Sequence, residues 1–194
     1  KAIEDLSSKD FPGKRANATF FYYNGKHYLL GEQFSFSRRI NIVNQTIGGG
    51  NRTKEFQDLW TLTLNKDKLE WTEIRPKDIS PFTPRTGQAA TLLGDKLYVF
   101  GGQNFHEGKM YDDATVTTSV LTIEAIFAKI YCLAENKWSF LETKEIKPSA
   151  RNSAILEADP VKNRLYLYGG ADLNGPLDDF YIYDLSMLLL YLSI

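Results

Sequence analysis

Apolar and polar positions along the chain fall into short runs with a repeated ending. Leu97-Tyr98-Val99-Phe100 closes on Gly101-Gly102, and Leu165-Tyr166-Leu167-Tyr168 closes on Gly169-Gly170, 68 residues later. His27-Tyr28-Leu29-Leu30 closes on Gly31, with Glu32 in place of the second glycine. Such runs, apolar at nearly every position, predict strands covered on both faces. Trp60-Thr61-Leu62-Thr63-Leu64 alternates instead and predicts a half-open strand, with Trp60, Leu62 and Leu64 on one face and the threonines on the other. Turn residues separate the runs: Asn24-Gly25-Lys26, Gly94-Asp95-Lys96 and Asp159-Pro160-Val161-Lys162-Asn163. Asn-Gly and Gly-Asp between apolar runs predict hairpins, because such turns need positive φ and glycine has no Cβ to clash.

The runs belong to a longer repeat. Arg15 and Arg85 stand 16 residues before Gly31 and Gly101, and Arg151 stands 18 before Gly169. Pro12, Pro84 and Pro148 precede the three arginines, and small residues follow them. Farther on, Ile130-Tyr131-Cys132-Leu133 leads through Glu135-Asn136-Lys137 to Trp138, as Leu59 to Leu64 leads to Trp71. The third copy has Phe180-Tyr181-Ile182-Tyr183-Asp184-Leu185 and then leaves the pattern. Each copy therefore predicts four strands, and the chain reads as repeat units over about 12–80, 81–147 and 148–194, the last incomplete.

In these residues the sequence resembles the kelch-repeat family. Pro84-Arg85-Thr86-Gly87 through Gly101-Gly102 to Tyr131 and Trp138 is the best match; Arg151 through Gly169-Gly170 to Tyr183 is the second. The first copy matches at Arg15, Gly31 and Trp71 and departs at Glu32. The resemblance implies an all-β fold: part of a β-propeller, with about three four-stranded antiparallel blades. Paired glycines would let neighbouring backbones approach closely, and the aromatics would fill the wedge between blades.

Three units fall short of a closed ring of about four to eight blades. A piece of a longer protein, assembly of several copies, and an open arc with an exposed apolar end face all remain open at this stage.

The net charge of −1 gives no electrostatic reason to expect nucleic acid. No run reaches the ~18 apolar residues of a membrane helix, so no membrane partner is expected. A single cysteine, Cys132, excludes an internal disulfide and fits a reducing, cytoplasmic setting. It reads as a buried thiol. Asn17, Asn44 and Asn51 head Asn-x-Ser/Thr triplets, which would fit a secreted glycoprotein, although so short a triplet also arises by chance and Asn17 falls inside an expected inner strand.

The units exceed the ~50 residues usual for this repeat, and the excess follows the glycines. The first insertion, Gln33 to Glu55, holds Arg38, Arg39 and Gly48-Gly49-Gly50; the second, Gln103 to about Thr122, holds His106, Glu107, Asp112 and Asp113. Insertions of this kind often form a binding face. The glycine triplet lacks the Lys-Ser/Thr of a phosphate loop. Partly helical spacing over Val120 to Ile130 also allows a short helix.

Two histidines, His27 and His106, are too few for the copper oxidases that resemble this family, and His27 reads as a packed residue. No serine sits on a nucleophile elbow. The expected function is therefore a non-catalytic protein-interaction module, an adaptor or scaffold without cofactor. Its candidate partner contacts are Arg15, Arg85, Arg151, Arg38, Arg39 and His106, the arginines through bidentate contacts to carboxylates. For Arg15, Arg85 and Arg151 a structural role, bonding to backbone, is the competing expectation. The candidate structural set is Gly31, Gly101, Gly102, Gly169, Gly170, Trp71 and Trp138. The alternative function is a metal-dependent enzyme or specifier protein using acidic loop residues such as Asp112 and Asp113.

Overall fold

In the computed structural model, 12, 18–30, 58–65, 68–75, 77, 83–112, 125–143 and 147–186 are described. Among these residues there are strands and turns and no helix. Two compact units are present. The first covers Lys1–Arg75, Pro84–Thr86 and Phe105–Glu107; the second covers Pro76–Thr83, Gly87–Asn104 and Gly108–Ile194.

The first unit contains one antiparallel meander of four strands: β1 (Thr19–Tyr23), β2 (Lys26–Leu30), β3 (Leu59–Asn65) and β4 (Lys68–Ile74). Asn24 and Gly25, both at positive φ, close the β1–β2 hairpin as the Asn-Gly signal predicts. The β2–β3 register sets Leu30 beside Leu59 and Tyr28 beside Thr61. That register reverses the expectation for β3. Thr61 lies on the face of the buried Leu30 and Leu59 and is itself buried, whereas Trp60 and Leu62 are half-buried. The Thr61 Oγ1 donates to the Thr72 carbonyl at 3.4 Å, so its hydroxyl is satisfied there. His27, expected to be packed, is exposed and stacks in parallel on Phe20 at 5.3 Å.

The second unit holds two larger sheets. One is β5 (Ala89–Leu93), β6 (Lys96–Phe100), β9 (Ala125–Cys132) and β10 (Lys137–Thr143), again a meander. Between its second and third strands lies a ribbon, β7 (Gln103–Asn104) with β8 (Lys109–Met110). The other sheet is β11 (Ile155–Asp159), β12 (Arg164–Tyr168) and β15 (Phe180–Asp184), interrupted by the ribbon β13 (Ala171–Asp172) with β14 (Gly175–Pro176). The helix allowed over Val120 to Ile130 is not formed in its described part. Residues from Ala125 onward are strand β9, whose backbone is paired with β10 and, from Lys129, with β6.

The core of this unit lies between its two sheets. Ala89, Tyr98, Phe100 and Ile130 from one meet Leu156, Leu165, Leu167, Tyr183 and Leu185 from the other. Burying each of the larger side chains contributes about 2–3 kcal/mol. β6 is covered on both faces from Leu97 to Phe100, as its apolar run predicts. β12 carries an equally apolar run but is covered on one face only. Leu165 and Leu167 are fully buried, Tyr166 is half-buried and Tyr168 is exposed, so aromatic content alone did not reveal which face is open. Trp138 is buried against Tyr131 with ring centroids 5.1 Å apart; Trp71 is half-buried.

Candidate functional site

The glycine pairs are the places where backbones meet. Gly101, Gly102, Gly169 and Gly170 all have positive φ, which glycine alone adopts without a Cβ penalty. A Cβ on Gly101 would lie 2.5 Å from the Arg151 carbonyl oxygen, and one on Gly170 2.6 Å from that of Asn152. The start of the third repeat thus runs directly over the end of β6. The Gly102 N–H donates to the Arg151 carbonyl at 2.8 Å, and the Arg151 N–H to the Tyr111 carbonyl at 3.3 Å. Tyr111 N–H returns to the Gly102 carbonyl at 2.8 Å, closing the base of the β7–β8 ribbon.

The side chain of Arg151 fixes the other ribbon. It is buried, and its five N–H donors are all used. Nε donates to the Ser149 carbonyl at 3.1 Å, and Nη2 to Ser149 Oγ at 3.1 Å and Asp179 Oδ2 at 2.8 Å. Nη1 donates to the Gly169 carbonyl at 3.0 Å and to Asp179 Oδ1. The guanidinium–carboxylate pair is therefore bidentate. Tyr181 adds its hydroxyl to Asp179 Oδ2 at 3.1 Å and its ring beneath the guanidinium at 5.6 Å. The Gly169 N–H bonds the Asp179 carbonyl at 3.0 Å, and the Leu177 N–H bonds the Gly170 carbonyl at 2.8 Å. Both ends of the β13–β14 ribbon are held at one point.

The charges follow this geometry. The hydrogen bond from Arg151 holds the Asp179 carboxyl below the usual aspartate range, with a further contribution from Tyr181. The same bond raises the Arg151 guanidinium, against the opposing effect of burial. Burial and the Asp179 bond push the Tyr181 hydroxyl upward.

Each ribbon carries an exposed tip on this base. In β13–β14, Asp172 Oδ1 accepts from the N–H groups of Asn174 at 2.7 Å and Gly175 at 3.1 Å, which rigidifies the turn and projects Leu173, 89% exposed. The turn between β7 and β8 carries His106 and Glu107, both exposed. Lys109 at its return lies over the Tyr111 ring at 5.3 Å. Asp112, at the edge of the second insertion, bonds Lys147 at 2.8 Å.

The other candidate residues are placed as follows. Arg85 is buried and His106 is on the ribbon turn. Arg15, Arg38, Arg39, Gly31, Gly48-Gly49-Gly50, Asp113 and the three Asn-x-Ser/Thr asparagines lie outside the described residues. Cys132 is a buried free thiol, with Sγ 3.6 Å from Asp95 Oδ2. Among the described residues no group of three or more His, Cys, Asp or Glu side chains is gathered as a metal site would require. Asp179 escaped the sequence reading. Its signal was an acid directly before the third strand, shared with Asp58 before β3 in the first copy.

The architecture is that of a repeat protein built from blade-like antiparallel sheets, in which a buried arginine at the start of one sheet anchors the ribbons of two. Comparison with known proteins gives the repeat its type. The chain is 26% identical over 186 residues to Kelch repeat-containing protein 2 of Saccharomyces cerevisiae, covering 93% of this chain and 18% of that protein. It is 32% identical over 91 residues to Kelch domain-containing protein 3 of Homo sapiens, covering 47% of this chain and 19% of that protein. It is 27% identical over 153 residues to Tip elongation aberrant protein 3 of Schizosaccharomyces pombe, covering 70% of this chain and 13% of that protein. No family model matches the sequence. The repeats are of kelch type, and the chain spans less than a fifth of the length of these relatives.

Proposed function

We propose that this chain is a non-catalytic protein-interaction module of kelch type, an adaptor or scaffold segment that presents its ribbons and insertions to a protein partner. The units 12–80, 81–147 and 148–194 are its successive repeats. The observation that carries this reading is the double anchorage at Arg151: its backbone closes the base of β7–β8 and its side chain closes the base of β13–β14. A rigid base under an exposed tip lowers the ordering cost of binding. Leu173 and His106 are the proposed contacts on the ribbons, and Arg38 and Arg39 those of the first insertion, the two arginines toward partner carboxylates. Arg85 and Arg151 contribute by positioning, since both are buried. The kelch names of the relatives support an interaction role over catalysis, and the proposed setting is cytoplasmic. No described helix is long and apolar enough to cross a membrane.

Site-specific photocrosslinking tests this. A photoreactive residue at Leu173 or His106 is expected to trap a discrete protein adduct in cell extract. The same group at Val161, exposed at the opposite end of β12 in the β11–β12 turn, is expected to trap none. Adducts at Val161 alone, or equal yields at all three, would overturn the assignment.

A further inference from the structure

The turn of the β13–β14 ribbon carries an Asn-Gly pair, Asn174-Gly175, and Asn24-Gly25 in the β1–β2 hairpin is the other one in the sequence. Asn-Gly is the pair most prone to spontaneous deamidation, because glycine has no Cβ to keep its nitrogen away from the asparagine side chain. The Gly175 backbone nitrogen attacks the Asn174 Cγ. The N–Cγ bond forms, the Cγ–Nδ2 bond breaks, and ammonia leaves carrying the proton of the Gly175 amide. Water then opens the resulting succinimide at either carbonyl, leaving an aspartate or an isoaspartate. No enzyme, metal or oxidant enters the balance.

The two pairs are held differently. Asn24 stands at positive φ in a turn closed by the β1–β2 ladder, whereas Asn174 does not have positive φ. Around Asn174 the restraint is a single side chain, that of Asp172. Its Oδ1 accepts from the Gly175 N–H at 3.1 Å, the bond that must break before this nitrogen can attack. The same oxygen accepts from the Asn174 N–H at 2.7 Å and fixes the main chain of the turn. Its Oδ2 takes the Asn174 side chain itself, through Nδ2 at 3.4 Å. Attacking nitrogen, intervening main chain and leaving amide are therefore all tied to one carboxylate.

The products would undo this arrangement. Conversion of the Asn174 amide to a carboxylate replaces a donor facing Asp172 with a second negative charge, so attraction becomes repulsion. The isoaspartate form also adds a methylene to the main chain of a ribbon that has two residue pairs, Ala171 with Pro176 and Asp172 with Gly175. Either product opens the turn that projects Leu173.

We infer that Asn174 is a site of spontaneous succinimide formation with Gly175, and that Asp172 is the positioning residue that holds its rate down. The chemistry and its dependence on Asp172 do not rest on the partner contact proposed above for Leu173.

Peptide mapping by mass spectrometry, on protein held in neutral buffer at physiological temperature, follows the amide-to-acid mass gain at Asn174 and, in the same sample, at Asn24. The folded parent is expected to convert Asn174 about tenfold more slowly than a synthetic peptide spanning Ala171 to Asp178, as hydrogen bonds to a charged acceptor imply. Asp172→Ala is expected to recover most of that factor and to speed amide exchange at Gly175 in step. Asp172→Asn keeps an acceptor for both turn N–H groups and is expected to convert close to the parent's rate. Asn24, in another sheet, is expected to convert equally in all three proteins. An Asp172→Ala chain no faster than the parent overturns the inference. So does an Asp172→Asn chain as fast as Asp172→Ala, or an acceleration shared by Asn24, which would mean general loosening. Should Asp172→Ala fail to fold, equal rates in parent and peptide are the negative result.

Discussion

Gly101 and Arg151 are in direct backbone apposition: a Cβ on the glycine would stand 2.5 Å from the arginine carbonyl oxygen. Gly101→Ala therefore meets two obstacles, a positive φ of 71° and a backbone atom that cannot move aside. Gly108 separates them, since its φ is 61° and nothing lies within 4 Å of its would-be Cβ. Gly108→Ala should cost about 1 kcal/mol, from conformation alone. Gly101→Ala should cost about 3 kcal/mol or more. Urea unfolding of both variants gives the comparison, and equal losses would show that the apposition carries no energy.

The Arg151–Asp179 pair makes acid stability depend on one carboxylate. The Asp179 pKa is lowered in the folded protein, so its contribution is fully present above the unfolded aspartate value of about 3.8 and is lost as pH falls through the lower folded value. Asp179→Asn removes that dependence. The variant should be less stable at neutral pH by about 1–3 kcal/mol, because Arg151 stays buried with weaker acceptors. Its stability should also fall less steeply than the parent's on acidification below about pH 4. Thermal melts of both proteins between pH 7 and the acid limit read the two slopes. Parallel curves would remove Asp179 from the acid response.

Much of this was legible in the spacing. The strands before the glycines, the Asn24-Gly25 hairpin and the kelch type follow from residues that recur in register, because backbone geometry demands the same small or turn-forming residue each time. The side chains of the staple were half legible. Arg151 recurs with Arg15 and Arg85 and stood out, but its partner Asp179 lies 28 residues away and is recognisable only once β12 and β15 are aligned. Which face of β3 and β12 is covered was not legible. Thr61 is buried because Leu30 and Leu59 share its face, and Tyr168 is open because no described sheet lies over it. Both depend on neighbours in space, to which a local apolar pattern is blind.

Corresponding positions in successive repeats should therefore respond differently to truncation. Phe100 is fully buried between the two sheets of the second unit, and Phe100→Ala should cost about 3–5 kcal/mol. Tyr168 occupies the matching place in β12 with nearly half its surface open. Tyr168→Ala should cost about 1 kcal/mol or less, while Leu167→Ala, one residue away on the covered face, should cost about 2–5 kcal/mol. Denaturation at dilute protein concentration orders the three, and a Tyr168 loss as large as that of Leu167 would mean that the face is covered.

Cys132 offers a probe of the second unit without any substitution. Its thiol is buried at the end of β9, held between β6 and β10, with Asp95 Oδ2 at 3.6 Å. A thiol reagent reaches it only when those strands part, so the labelling rate follows the opening of this sheet rather than the intrinsic reactivity of the sulfur. Labelling in buffer should be slower than in urea by a factor on the order of 10³ or more, for a unit of ordinary stability. Leu97 pairs with Tyr131, next to Cys132, and is almost wholly buried, so Leu97→Ala should raise the native labelling rate through lost packing. Phe20→Ala changes an exposed residue of the first unit and should leave that rate unchanged. Rapid labelling of the parent, at a rate close to that in urea, would contradict the burial of β9 and with it the pairing of the central sheet.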